Sequence, residues 1–204
     1  MASTAISLAP LLLGLALGLR HAVDPDHIAA MGTIVSREPS PGRAAALGVV
    51  WGLGHSLSLF AASIVIIALD LPIPERVTSM LELLVAAMLI VLGIQSLRRA
   101  FEANPRSRAV TARRPFLVGL VHGLAGSGGL ALLVLPGLHE PSAAISFVAL
   151  FAIGSVGGMA LWSVALAWPL GKISRRSVRA GKWIASASGL ASVLCGVVVV
   201  LQIA

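Results

Sequence analysis

Charged residues, cysteine and tyrosine are scarce in this sequence. Of its 204 residues only 11% are charged and 57% are hydrophobic, a single residue is cysteine, and tyrosine is absent. Soluble domains carry about 25% charged residues, so this chain has too few to cover a water-facing surface of its size. One cysteine excludes a disulfide scaffold, and the high apolar content excludes a disordered chain. The composition is therefore that of a membrane protein.

Apolar stretches long enough to cross a bilayer recur along the chain. A transmembrane helix needs about 20 residues, and runs such as 81–94 are apolar on every side, unlike a β-barrel strand. The first stretch resembles the apolar part of a signal peptide, but no basic residue precedes it, so we expect a permanent span. The sequence predicts an all-α polytopic helix bundle that forms one membrane domain over 1–204. Its six spans are predicted at 5–34, 45–69, 76–97, 115–136, 142–170 and 183–203.

Basic residues are concentrated in the loops after the odd-numbered spans. Thirteen of the 15 lie there, whereas the even loops hold only Arg76 and the first span holds Arg20. Because Lys and Arg accumulate on the cytoplasmic side, we predict a multi-pass protein of the cell inner membrane with both termini outside. The net charge of +7 is then an orientation signal, and no nucleic-acid partner is expected. The thirteen residues are Arg37, Arg43, Arg98, Arg99, Arg106, Arg108, Arg113, Arg114, Lys172, Arg175, Arg176, Arg179 and Lys182.

Short sequence echoes indicate that the chain has two related halves. Gly-Leu-Arg-His at 18–21 recurs as Gly-Leu-Val-His at 119–122, and Leu-Gly-His-Ser at 53–56 is echoed by Ile-Gly-Ser at 153–155. Three spans per half would invert the second copy, a common plan among transporters. The predicted halves are 1–97 and 115–204, joined by the basic cytoplasmic linker 98–114. Chance similarity between Gly- and Leu-rich segments is the alternative.

The first span contains a cluster of ionisable residues. An ionisable group at the bilayer centre costs at least about 2.5 to 3.5 kcal/mol, so such groups are expected to serve a function. On a helix, His21, Asp24 and His27 share one stripe about 120° wide, and Arg20 lies on the same side. The five residues of the cluster are Arg20, His21, Asp24, Asp26 and His27.

Proline at position 25 predicts a kink within this cluster. Pro25 has no N–H to donate to the carbonyl of His21, and its ring would clash there. The kink is expected either to free that carbonyl as an extra ligand or to turn Asp26 toward the stripe. Imidazole and carboxylate ligands without a thiolate suit an intermediate divalent ion such as nickel or cobalt better than copper(I).

The charges in the cluster favour a cation. With neutral imidazoles, Arg20, Asp24 and Asp26 give a net charge of −1, which a divalent ion would change to +1. We expect Arg20 to pair with Asp24 at helical spacing, so that Asp26 and the two histidines serve as ligands. The alternative is a buried ionic network that only holds helices together.

Two further histidines lie in later spans. His55 is in span two within Gly-His-Ser, and His122 is in span four. An isolated histidine inside a membrane is commonly a hydrogen-bonded packing residue. Here each histidine lies near glycine, which lets helix backbones approach closely, so both are candidate ligands.

Residues 18–30 resemble the signature of the nickel/cobalt transporter family, whose hallmark is His-x4-Asp-His in a transmembrane helix. The hallmark falls on His21, Asp26 and His27, and Leu-Gly-His-Ser around His55 resembles the second family motif. The family's later acidic motif is replaced at 121–127, and six spans are predicted where many members have eight. The sequence therefore looks more like a short branch known as urease-accessory membrane proteins.

The resemblance implies a permease for a divalent transition metal, with nickel or cobalt as substrate and no resident cofactor. Its implied ligands are His21, Asp26, His27 and His55. Asp24 and His122 are additional candidate ligands, and Arg20 and Pro25 would support the site. The implied partners are the metal ion, the lipid bilayer and metal-delivery or urease- and hydrogenase-related proteins.

Two other classes of function compete with transport. His21 and Asp26 match the dyad of lipid acyltransferases, in which an aspartate orients a histidine base. Such enzymes need a water-facing catalytic domain and an Arg-bearing phosphate motif, and we find neither, so we do not expect an enzyme. The third class is a membrane subunit or metal-delivery partner that moves no metal by itself.

Overall fold

A computed structural model of the chain describes residues 8–36, 38, 40–69, 74–102, 111–124 and 141–203. Within these ranges all regular structure is helical, as the apolar composition predicted, because backbone groups in a bilayer must be hydrogen-bonded within the protein. The helices are α1 (Leu8–His21), α2 (Pro25–Val35), α3 (Pro41–Leu69), α4 (Glu75–Phe101), α5 (Arg113–Leu124), α6 (Pro141–Arg176) and α7 (Val178–Ile203).

Four of these helices contain stretches long and apolar enough to span a membrane: Pro41–Val65, Glu75–Phe101, Ser142–Ile173 and Val178–Ile203. They correspond to the second, third, fifth and sixth predicted spans. The stretch Leu12–His21 is apolar but shorter. Helix α5 covers the first part of the span predicted at 115–136, and the rest of that span lies outside the described residues.

Helices α3 and α6 pack against each other. Helix α1 packs along α6, α5 packs along α3, and α4 pairs with α7. The short helix α2 touches α7, α4, α6 and α3, and most of its residues are buried. Any polar side chain on the inward side of α2 is thereby removed from lipid and water.

Glycine allows α1 and α6 to cross at very short range. A Cβ atom on Gly18 would collide with the carbonyl oxygen of Phe151 and lie 2.8 Å from the backbone nitrogen of Ser155. On the facing helix, a Cβ on Gly154 would collide with the carbonyl of Leu15. Helices in membranes associate through such small residues. The contact holds the last turn of α1, including His21, against α6.

The crossing of α3 with α5 has the same form. A Cβ on Gly119 would collide with the carbonyl oxygen of Trp51 and lie 2.9 Å from the backbone nitrogen of His55. A Cβ on Gly54 would collide with the carbonyl of Phe116. His55 directly follows Gly54, and His122 lies one turn after Gly119, so this crossing positions both imidazoles.

The first predicted span is a broken helix rather than a kinked one. Helix α1 ends at His21, and α2 begins at Pro25, a position where the missing N–H of proline costs nothing. The carbonyl of His21 accepts a hydrogen bond from the backbone N–H of Asp24 at 3.1 Å. The expectation that this carbonyl is freed as a metal ligand is therefore wrong, and the break instead redirects the side chains that follow it.

Candidate metal centre

Four histidines from four helices meet in the interior of the bundle. They are His21 of α1, His27 of α2, His55 of α3 and His122 of α5, and none is more than 1% exposed. The ring centroid of His27 lies 4.4 Å from that of His21, 5.1 Å from that of His55 and 4.2 Å from that of His122. The centre thus brings together residues separated by up to 101 positions in the chain, and His27 lies close to each of the other three.

Three of these histidines form a first set of donors. The Nε2 atoms of His21 and His55 lie 3.1 Å apart. His27 completes the set, and one nitrogen from each ring lies within 4.8 Å of the other two. Ring nitrogens converging at this range can bind one transition-metal ion in place of their mutual hydrogen bonds.

Carboxylates orient the rings of this set. The Nδ1 atom of His21 donates to Asp24 Oδ2 at 2.8 Å, and Nδ1 of His27 donates to Asp26 Oδ1 at 2.9 Å. A hydrogen bond at Nδ1 leaves the Nε2 lone pair available to a metal ion. Histidines that bind metals commonly donate their other N–H to a carboxylate, which fixes the ring and raises its basicity.

A second set of donors also includes His27. Asp26 Oδ2 accepts a hydrogen bond from His122 Nε2 at 2.9 Å, while Asp26 Oδ1 is held by His27. Single donor atoms of Asp26, His27 and His122 lie within 4.8 Å of one another. Asp26 therefore either orients histidines or acts as a ligand itself, depending on where a metal ion would bind.

Several buried polar atoms in and around the centre have no hydrogen-bond partner among the described residues. They include Nε2 of His27, Nδ1 of His55 and Nδ1 of His122. Most buried polar atoms in proteins are hydrogen-bonded, and those that are not require an explanation. Three unpartnered imidazole nitrogens in one cluster fit a centre that accepts a cation.

The structure brings together most of the predicted site residues. Arg20 is the exception, because its side chain is exposed and Asp24 is hydrogen-bonded to His21. The predicted Arg20–Asp24 pair is thus wrong, because the helix break removes the spacing on which it depended. His21 is oriented by Asp24, while Asp26 holds His27 and His122. This arrangement also differs from the acyltransferase alternative, which needs Asp26 beside His21.

Two polar residues near the centre were not among the predicted site residues. The Trp51 ring lies 5.3 Å from the ring of His27 and 5.7 Å from that of His122, and its Nε1 has no partner in the described part of the chain. Ser155 is fully buried beside Gly18, also with an unpartnered hydroxyl. The similarity between Gly-His-Ser at 54–56 and Gly-Ser at 154–155 is the sequence signal that includes Ser155. A serine in an apolar helix does not by itself indicate a functional site.

The fold and the cluster define a helical membrane protein with a candidate cation centre, and comparison with known proteins places it in a family. The family model of the high-affinity nickel-transport protein, NicO, matches residues 7–114, just over half of the chain. The chain therefore belongs to the high-affinity nickel-transport protein family, and its function is the transport of a metal cation. The matched region includes His21, His27 and His55, while His122 lies beyond it.

Two characterised relatives are consistent with this family. The urease accessory protein UreH of Bacillus sp. (strain TB-90) is 27% identical over 202 residues, which cover 92% of this chain and 88% of that protein. The high-affinity nickel transport protein of Cupriavidus necator is 34% identical over 115 residues, which cover 48% of this chain and 33% of that protein. No solved structure matches the chain.

Proposed function

We propose that the chain carries nickel ions across the cell inner membrane through the histidine centre. The observation that carries this proposal is the convergence of three fully buried imidazoles, two of them oriented by carboxylates. Neutral imidazole nitrogens suit Ni²⁺. His21, His27 and His55 are the proposed ligands of the bound ion, and Asp24 and Asp26 orient the first two of these rings.

The same geometry reduces the cost of removing the ion from water. A divalent ion in a low-dielectric interior loses a large hydration energy, which ligands and opposite charges must replace. Asp24 and Asp26 supply two negative charges against the rings, so the centre becomes electrically neutral when one divalent ion binds. Exposed Arg20 lies outside the hydrogen-bonded centre and does not offset this charge.

Cobalt is the second proposed substrate. Nitrogen and oxygen donors bind Ni²⁺ more tightly than Co²⁺ at equal geometry, following the general order of divalent metal affinities. The centre has no thiolate among the described ligand candidates, which disfavours copper(I). We therefore expect both ions to be carried, with nickel binding more tightly.

We infer that transport is directed inward. A divalent ion that moves down a membrane potential of 100 mV gains about 4.6 kcal/mol, twice the roughly 2.3 kcal/mol per charge. At about 1.4 kcal/mol per factor of ten, this supports roughly a thousandfold accumulation. Uptake therefore needs no second energy source.

We also propose that six spans form two inverted halves with both termini outside. The matched glycine crossings support this arrangement. Gly18 and Gly119 are 101 positions apart, and each lies against a carbonyl oxygen and a backbone nitrogen of its facing helix. Gly54 and Gly154 are 100 positions apart and make the same kind of contact. A Cβ on Gly154 would lie 3.1 Å from the nitrogen of Leu19, and one on Gly54 would lie 3.1 Å from that of Leu120.

The family and the geometry favour transport over the competing functions. The chain belongs to a family of transport proteins, and the centre lacks the His21–Asp26 pairing that the acyltransferase alternative requires. We propose that the chain is not an enzyme and has no resident cofactor. The name of its relative, the urease accessory protein UreH, suggests that the imported nickel is used in urease maturation.

Uptake of radioactive nickel tests this function. Cells that express the chain are compared with cells that express His21→Gln or His27→Gln, at equal amounts in the membrane. We expect the wild type to accumulate nickel and the uptake by each variant to be at least about tenfold lower. Ser63→Ala is the matched control, since this buried α3 hydroxyl donates only to the carbonyl of Leu59.

The outcomes separate transport from its alternatives. No nickel accumulation by the wild type, or variants that match it, would refute the proposed route. The purified chain in lipid vesicles provides the second test, because a subunit or delivery partner would move no nickel there. Parallel uptake of radioactive cobalt measures the preference between the two metals.

A further inference from the structure

We propose that a single metal ion alternates between two positions that share His27, and that both positions must be visited for transport. This inference rests on the proposed function. Position one is formed by His21, His27 and His55, and position two by Asp26, His27 and His122. His122 is thereby a ligand of the transported ion rather than a packing residue.

His27 belongs to both positions. Its Nδ1 lies 2.9 Å from Asp26 Oδ1, on the side where Asp26 also holds His122 Nε2. Its Nε2 has no hydrogen-bond partner among the described residues. A neutral imidazole has one free lone pair at a time. Because both positions include His27, an ion at one position occupies that lone pair, and the two positions exclude each other.

The charge of the centre also limits it to one ion. Asp24 and Asp26 are the carboxylates hydrogen-bonded to its imidazoles. Their two negative charges balance one divalent ion, whereas two ions a few ångströms apart would repel each other with an excess of +2. When the ion is at position one, Asp26 orients His27, and when the ion is at position two, Asp26 is itself a ligand.

The two positions are related to the two halves of the chain. His21 lies three residues after Gly18, and His122 lies three residues after Gly119, at crossings with the same backbone contacts. If the halves are inverted as proposed, these two histidines lie on opposite sides of the membrane midplane. Exchange at His27 would then move the ion across the bilayer centre without a long step.

Binding of Co²⁺ to the purified full-length chain in detergent tests the inference. Cobalt absorption depends on the ligands present, so titration yields both stoichiometry and the environment of the ion. We expect one Co²⁺ per chain in the wild type. His55→Gln and His122→Gln should each still bind one Co²⁺ with an altered spectrum, since each leaves one position intact, whereas His27→Gln should bind none.

Transport by the same proteins completes the test. In lipid vesicles, His55→Gln and His122→Gln should each reduce nickel uptake by at least about tenfold although both still bind metal. Ser63→Ala should match the wild type in both measurements. Helix content and gel-filtration profile identify a variant that has not folded, and His122→Asn or His55→Asn then replaces it.

Three results would overturn the inference. If His122→Gln takes up nickel as fast as the wild type, position two is not on the route. If the wild type binds two Co²⁺ per chain, the ion does not alternate between the positions. If a folded His55→Gln or His122→Gln binds no Co²⁺, the two positions are one undivided site. Each of these results leaves nickel transport by the wild type intact. Failure of the wild type to transport would instead refute the proposed function.

Discussion

Two helix-packing regions of this protein hold buried polar groups in different ways. Helices α4 and α7 pack through glycine and through serine hydroxyls that donate across the interface, Ser96 to the carbonyl of Ala185 at 2.9 Å and Ser192 to that of Leu89 at 2.7 Å. These hydroxyls need no further partner. In the histidine centre, by contrast, buried imidazole nitrogens of α2, α3 and α5 lack partners within the described residues.

Whether a buried polar group has a hydrogen-bond partner within the protein distinguishes groups that stabilise the fold from groups that can bind a ligand. A serine that bonds to a carbonyl stabilises packing at little cost, because the hydroxyl is satisfied within the protein. An unpartnered imidazole nitrogen in a membrane interior destabilises the protein until something binds it. We therefore expect substitutions in the α4–α7 interface to alter stability alone, and substitutions around the histidine centre to alter metal binding.

Among the carboxylates, the largest expected effect on metal binding comes from Asp26→Asn. Asp26 orients His27 and His122 together and supplies charge against the ion, so its loss acts on both donor sets. Removal of a carboxylate behind a metal ligand typically costs 10- to 100-fold in affinity, and we expect about 100-fold here. Cobalt titration measures it. An affinity within threefold of the wild type would show that Asp26 is structural.

Gly93→Ala should affect stability and leave metal binding unchanged. A Cβ on Gly93 would lie 2.5 Å from the carbonyl oxygen of Gly189 and 2.9 Å from the backbone nitrogen of Val193, so α4 and α7 must move apart. Overpacking of this kind costs about 1–3 kcal/mol. Thermal unfolding in detergent should show a lower midpoint, with cobalt affinity equal to the wild type. A large loss of cobalt affinity in Gly93→Ala would contradict the view that the α4–α7 interface serves stability and only the histidine centre serves metal binding.

Asp24→Asn should have a smaller effect than Asp26→Asn. Asp24 orients only His21, and its side chain is 31% exposed, so water can replace part of its role. We expect a loss of about tenfold in cobalt affinity, at the lower end for such carboxylates. Nickel uptake by the two variants at equal expression checks the order. A greater loss from Asp24→Asn would indicate that position one alone determines binding.

The sequence predicted the helical bundle and most members of the centre because both depend on local patterns. Apolar length predicts helices in a bilayer, and ionisable residues within an apolar span indicate a functional site. His21 and His27 were therefore recognisable within a single segment. His55 and His122 were identified as candidates only through neighbouring glycines and a family motif.

The hydrogen-bond partners could not be read from the sequence. A continuous helix would place Arg20 beside Asp24, but the break between α1 and α2 changes the direction of every later side chain. The hydrogen bond that His122 donates to Asp26 spans 96 positions and depends on how α2 and α5 are placed by the surrounding helices. Such pairings follow from tertiary packing, which helical periodicity does not contain.

The smallest expected effect comes from Ser192→Ala, which tests the structural side of the comparison. Ser192 is fully buried, and its hydroxyl donates to the carbonyl of Leu89 on the facing helix. Hydrogen bonds between membrane helices contribute on average about 0.6 kcal/mol, because the polar group also finds partners when the helices are separated in the membrane. Denaturant unfolding should therefore show a loss of about 0.6 kcal/mol with unchanged nickel uptake. A marked fall in uptake would mean that α4 and α7 move against each other during transport, because a static contact of this strength is too weak to rearrange the histidine centre.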